Sequence, residues 1–129
     1  MKTKHKQKRI RVRYGSSYTN ISVDSKLTEI IKKCWKNGWL TTNSCENNQG
    51  KFVWICFFHK QIIDEIFKFI DKHDDILFGY LMSNSSLHLV PIIRGDKYSH
   101  MSVSLRFPSE DLKLFSKMFL KLPDIKNAK

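Results

Sequence analysis

Three groups of residues in this chain have the types and spacing to do chemistry. The first is a run of cations, Lys2, Lys4, Lys6, Lys8, Arg9, Arg11 and Arg13, with no acidic residue before Tyr14. Of the 23 Lys and Arg residues seven fall here, leaving 16 against 12 acidic residues in the rest. The formal charge of +11 is therefore concentrated in one arm on a mildly basic body. Lys and Arg neutralise phosphates and release their counterions. That makes Lys4, Lys6, Lys8, Arg9, Arg11 and Arg13 candidates for binding RNA or DNA with low sequence specificity. The same arm can instead serve an acidic protein or a membrane surface, or only solubility. The second group is Thr42, Ser44, Cys45 and Glu46, a thiol and a carboxylate among hydroxyls, which reads as a ligand pocket. A cysteine nucleophile needs a base or a positive field to become a thiolate, and Glu46 beside it works the other way, so no catalytic residue is assigned. The third is Cys56-x-x-His59, half of a zinc site with no second pair close by. Structural zinc takes four ligands, so no metal is expected, and no cofactor either, since no glycine-rich phosphate loop or dinucleotide fingerprint is present. Of the three tryptophans, Trp39 follows Gly38 and is the candidate for an exposed base-stacking ring.

The elements that must position these residues follow from periodicity. Arg9 to Tyr14 alternates strictly, predicting a strand with Ile10, Val12 and Tyr14 inward and three arginines on the other face, about 6.6–7 Å apart. Gly15-Ser16-Ser17 turns the chain. Asp24 and Ser25 can cap a helix, along which Leu27, Ile30, Ile31, Cys34 and Trp35 make one apolar stripe. Asn37-Gly38 ends it. Trp39 to Thr42 reads as a short strand, Cys45 to Gly50 as a polar loop, and Phe52 to Phe58 as a central strand covered on both faces. Ile62, Ile63, Ile66, Phe67 and Ile70 stripe a helix reaching His73. Ile76 to Met82 reads as a strand broken by Gly79. Leu87 to Ile93 reads as a strand in which Pro91 argues for an edge or bulge position, and Met101 to Phe107 alternates as a half-exposed strand. Ser109 caps a last helix striped by Leu112, Phe115, Met118, Phe119 and Leu122, ended by Pro123. The order predicts an α+β two-layer sandwich, mostly antiparallel with about three helices and related to split β-α-β folds. Residues 1–8 are expected as a basic flexible tail and 9–129 as a single α+β domain.

Thr41-Thr42-Asn43-Ser44-Cys45, after a helix ending in Asn37-Gly38, resembles the Thr-Thr-Ser-Ser-Cys-Ser-Gly-Arg signature of the wybutosine-synthesising tRNA methyltransferases of the third step. It also looks like small phage and large-virus proteins with a similar Ser-Cys-Glu element before a strand. The likeness covers roughly a quarter of the chain and carries over at Thr42, Ser44 and Cys45. After the cysteine this chain has Glu46-Asn47-Asn48-Gln49 in place of Ser-Gly-Arg. The resemblance implies an enzyme that binds S-adenosylmethionine near Ser44 and Cys45.

At 129 residues with 41% hydrophobic content the chain can bury one real core. No apolar run reaches the roughly 20 residues of a membrane span. Three cysteines, an odd number, suit reduced thiols and a cytoplasmic setting. The Lys-, Ile- and Asn-rich composition suits an A+T-rich or viral source, hence host cytoplasm or virion. Three functions are consistent with these residues. The leading one is a small basic nucleic-acid-associated accessory protein, a binding protein rather than an enzyme. The alternatives are a structural or assembly component whose arm docks a protein partner or a second copy, and a tRNA-modifying methyltransferase.

Overall fold

A computed structural model of the chain describes residues 6–14, 16–48 and 50–125. Two strands come first, β1 (Gln7–Tyr14) and β2 (Ser17–Asp24), paired antiparallel as a ribbon. Gln7 and Lys8 thus belong to a strand and not to a tail. β2 had no counterpart in the sequence reading, because Tyr18, Thr19 and Asn20 are exposed and only its last residues turn inward. Ile10 and Val12, with Val23 of β2, join the core; the side chain of Tyr14 lies outside what the structure describes.

A short 3-10 turn at Ser25–Leu27 leads into α1 (Thr28–Lys36). Leu27, Ile30, Ile31 and Cys34 are buried, as their spacing predicts. Asp24 does not cap the helix: its carboxylate accepts from Gln7 Nε2 at 2.6 Å and from Glu46 N at 2.9 Å, tying the ribbon to the next strand. Gly38, at φ +81°, takes the left-handed backbone that ends the helix. β3 (Thr41–Asn48) and β4 (Phe52–Phe57) form a hairpin that turns through Gly50 at φ +71°. The polar stretch expected as a loop from Cys45 is therefore strand, since its backbone pairs with β4 as far as Asn48 opposite Phe52.

Next comes α2 (Lys60–His73), burying Ile63, Ile66 and Ile70. Residues 76–82 are not a strand; they lie in α3 (Asp75–Asn84). The side chain of Asp74 accepts from Ile76 N and Leu77 N at 3.1 and 3.0 Å, which nucleates the helix. Leu77 and Leu81 then bury one face across Gly79. A second hairpin, β5 (Ser86–Arg94) and β6 (Lys97–Pro108), turns through Gly95 at φ +64°. A 3-10 turn at Ser109–Asp111 precedes α4 (Leu112–Lys121).

β3 to β6 form an antiparallel sheet in the order β3-β4-β6-β5. The architecture is an α+β sandwich: Val53, Ile55 and Phe57 of β4 and Val103, Leu105 and Phe107 of β6 pack against the helices in one core. β5 is an edge strand, as Pro91 predicts. The end of α1 is clasped by the segment after α4. Lys33 Nζ donates to Leu122 O, Lys36 pairs with Asp124 at 2.7 Å, and Asn37 Oδ1 accepts from Ile125 N at 2.8 Å. Among the described residues no helix is long and apolar enough to cross a membrane.

Candidate nucleic-acid interface

Strand alternation divides the ribbon into an anchored face and an open one. Ile10 and Val12 point into the core beside α1, at 3% and 2% exposure. Arg9, Arg11 and Arg13 take the opposite face and are exposed. Their cross-strand partners on that face are Ser22, Asn20 and Tyr18. The guanidinium of Arg11 lies 4.2 Å above the Tyr18 ring, a cation–π contact that restricts it without neutralising it. Lys6 and Lys8 precede them and are also exposed, Lys8 at an alternate position of the strand, and Lys4 lies outside the described residues. The described part of the basic segment is thus a two-stranded ribbon with a row of cations at strand spacing.

Trp39 is not exposed. Its backbone N–H folds back to Cys34 O at 2.8 Å, carrying the ring into the core at 0% exposure. There it meets Phe69 edge-on at 5.6 Å and Phe119 at 6.2 Å. It is removed from the nucleic-acid-binding candidates.

Thr42, Ser44, Cys45 and Glu46 do not form one pocket, because alternation along β3, interrupted by an irregularity between Thr41 and Asn43, sends them to different places. Glu46 is buried, accepts from Lys26 N at 3.1 Å, and lines a 540 Å³ cleft against Ser109, Leu112 and Lys113. Ser44 pairs opposite Ile55, a core residue. Cys45 pairs opposite Trp54, on the other face of the sheet, and Thr42 lines a trough on that face.

That trough was not legible as a site. β4 is covered by helices on one face only. The rows Cys45–Trp54–Arg106 and Asn43–Cys56–Ser104 cross the other face from β3 to β6. Small residues, Cys56 and Ser104, form the floor. Trp54 and Arg106 stand at one end, Val90 and Ile92 along one wall, and Thr42 and Asn43 along the other, around about 430 Å³. Ser104 is 3% exposed, yet among the described residues its Oγ has no hydrogen-bond partner, and neither does Arg106 Nε. Ile92 pairs with His100, whose ring packs on Phe58 at 4.5 Å and His59 at 4.8 Å. The alternation of Ser102, Ser104 and Arg106 on β6 was the available sign that this face is polar.

Two of the three thiols are held in the interior. Cys34 is wholly buried, which pushes its pKa up to about 12, against the smaller opposing effect of Lys33. Cys56 Sγ lies 3.1 Å from Ser102 Oγ, inside the sheet. Among the described residues no three His, Cys, Asp or Glu side chains are grouped to hold a metal. No protein-family model, curated protein or solved structure matches this chain.

Proposed function

We propose that this chain is a nucleic-acid-associated accessory protein whose β1–β2 ribbon engages the phosphates of RNA or DNA with low sequence specificity. The observation that carries the reading is the arginine face itself. Arg9, Arg11 and Arg13 project from a strand pinned to the core by Ile10 and Val12, so their backbone is already ordered before they meet phosphates. An antiparallel two-stranded ribbon also has the width to enter a duplex major groove. Asn20 and Ser22 on the same face add neutral donors and acceptors for backbone oxygens.

The test is affinity against salt, read by anisotropy of a labelled duplex. Three neutralised phosphates contribute a slope of about −2.7 in log K against log salt. Replacing Arg9, Arg11 and Arg13 together by glutamine should flatten the slope by that amount. Between 50 and 200 mM salt that is about forty-fold less loss of affinity. An unchanged slope refutes the assignment to the ribbon.

A second reading rests on the strand edge. Among the described residues β1 pairs with β2 alone, so one side of its backbone is unladdered and can add a strand from a protein partner or a second copy. An oligomer that survives nuclease favours this reading. A monomer whose associates are nuclease-sensitive favours the first.

A further inference from the structure

We infer that the trough on the open face of the four-stranded sheet is a site for an unpaired nucleobase, so that the protein takes single-stranded nucleic acid. This rests on the reading of the ribbon as a phosphate-binding element.

Four features define the occupant. The volume of about 430 Å³ lies in the range of small-ligand sites. Trp54 is half-buried at one end, with Arg106 directly opposite it across the strands. An indole beside a guanidinium offers a stacking surface and a positive charge together, which suits a base with its phosphate. On the floor, Ser104 Oγ is buried without a partner, and Arg106 Nε is a donor in the same condition. A buried donor left unpaired costs about 1–3 kcal/mol, and a ligand bringing acceptors relieves that cost. Base edges carry such acceptors as carbonyl oxygens and ring nitrogens. Val90 and Ile92 make the opposite wall apolar, against which a flat ring can lie.

A purely lipidic or aliphatic ligand would leave Ser104 and Arg106 unpaired. A phosphate alone would not use Trp54 or the apolar wall. A paired base buries its edge against its complement, so a duplex cannot present it to the trough. A planar, acceptor-bearing, unpaired base satisfies all of these groups. The stack of Phe58, His59 and His100, reached through Ile92, lies where a neighbouring base can rest.

The probe is oligo(dT), compared with its duplex with oligo(dA). Oligo(dT) should quench the tryptophan fluorescence of the native chain saturably, while the duplex should not. Trp39 is fully buried and out of a ligand's reach, so in a Trp35→Phe background the quenchable part of the signal belongs to Trp54. Trp54→Ala should weaken oligo(dT) about five- to 150-fold and leave duplex affinity unchanged. Ser104→Ala, which keeps the fold, should weaken oligo(dT) severalfold.

Absence of quenching by saturating oligo(dT), or equal losses for single strand and duplex in Trp54→Ala, overturns the trough. Quenching without loss in either variant also overturns it. If the arginine variant still flattens the salt slope in any of these cases, the trough has failed and the ribbon stands. If neither probe binds the native chain, both have failed.

Discussion

Truncating Ile10 to alanine asks whether the arginine row is part of the fold. Ile10 is 3% exposed, with its side chain in the core beside α1. The substitution removes three carbon atoms from that site. At about 0.8 kcal/mol per buried CH₂ the transfer loss is about 2.4 kcal/mol. The cavity left behind adds to this. Because the ribbon is a separate two-stranded sheet covered from one side, it can partly collapse onto α1, which keeps the cavity contribution small. The total should be about 3 kcal/mol, toward the lower part of the range for such truncations. For a domain of this size the melting temperature should fall by roughly 10 °C. Urea denaturation followed by far-UV circular dichroism gives the free energy and its denaturant slope together. A loss under about 1 kcal/mol with an unchanged slope would mean that β1 is only loosely attached, and the premise of ordered arginines would fall.

Three further outcomes are expected. Asp74→Ala removes the acceptor for two N–H groups at the start of α3 and should cost about 1 kcal/mol by the same denaturation measurement. Trp39→Ala should cost about 3–5 kcal/mol while leaving the salt slope of nucleic-acid binding intact, since the ring is in the core. A changed slope in a folded variant would return Trp39 to the interface. Asp124 has a lowered pKa, chiefly through its hydrogen bond to the Lys36 ammonium, opposed by burial. Its contribution is therefore complete above the ordinary aspartate range and is lost as pH falls through its folded pKa. Because Lys36 is two-thirds exposed, Asp124→Asn should cost only about 0.5 kcal/mol near neutrality. The difference from the native chain should vanish in acid, which a pH series of melting curves checks.

The helical stripes were legible because burial follows a 3.6-residue period: Leu27, Ile30, Ile31 and Cys34 on α1, and Leu112, Phe115 and Phe119 on α4, are buried where the spacing places them. Elements without such a period misled. Ile76 to Met82 is a short apolar run, in which helix and strand look alike. Asp74, two residues before it, carried the deciding information as a helix cap. β2 and the later half of β3 are polar strands whose pairing comes from backbone groups, which side-chain periodicity does not report. Trp39 and Trp54 differ from expectation in burial for a related reason. A glycine before Trp39 suggested a surface ring, but the helix end it forms folds the chain inward. Trp54 lies in an apolar run that suggested two covered faces, and only the serines and arginine of the neighbouring strand reveal an open one. The arginine row was fully legible, because strict alternation fixes both its spacing and its face.

The proposed function turns on contact between the arginine face and nucleic acid. Titrating a short duplex into isotopically labelled protein at low salt, with backbone amides and the Arg9 and Arg11 Nε–H groups followed by NMR, tests it most directly. The largest shifts should fall on Arg9, Arg11, Tyr18, Asn20 and Ser22, and should reverse on adding salt. Shifts confined to the lysines of α4, Lys113, Lys117 and Lys121, or no shifts at all, would contradict it.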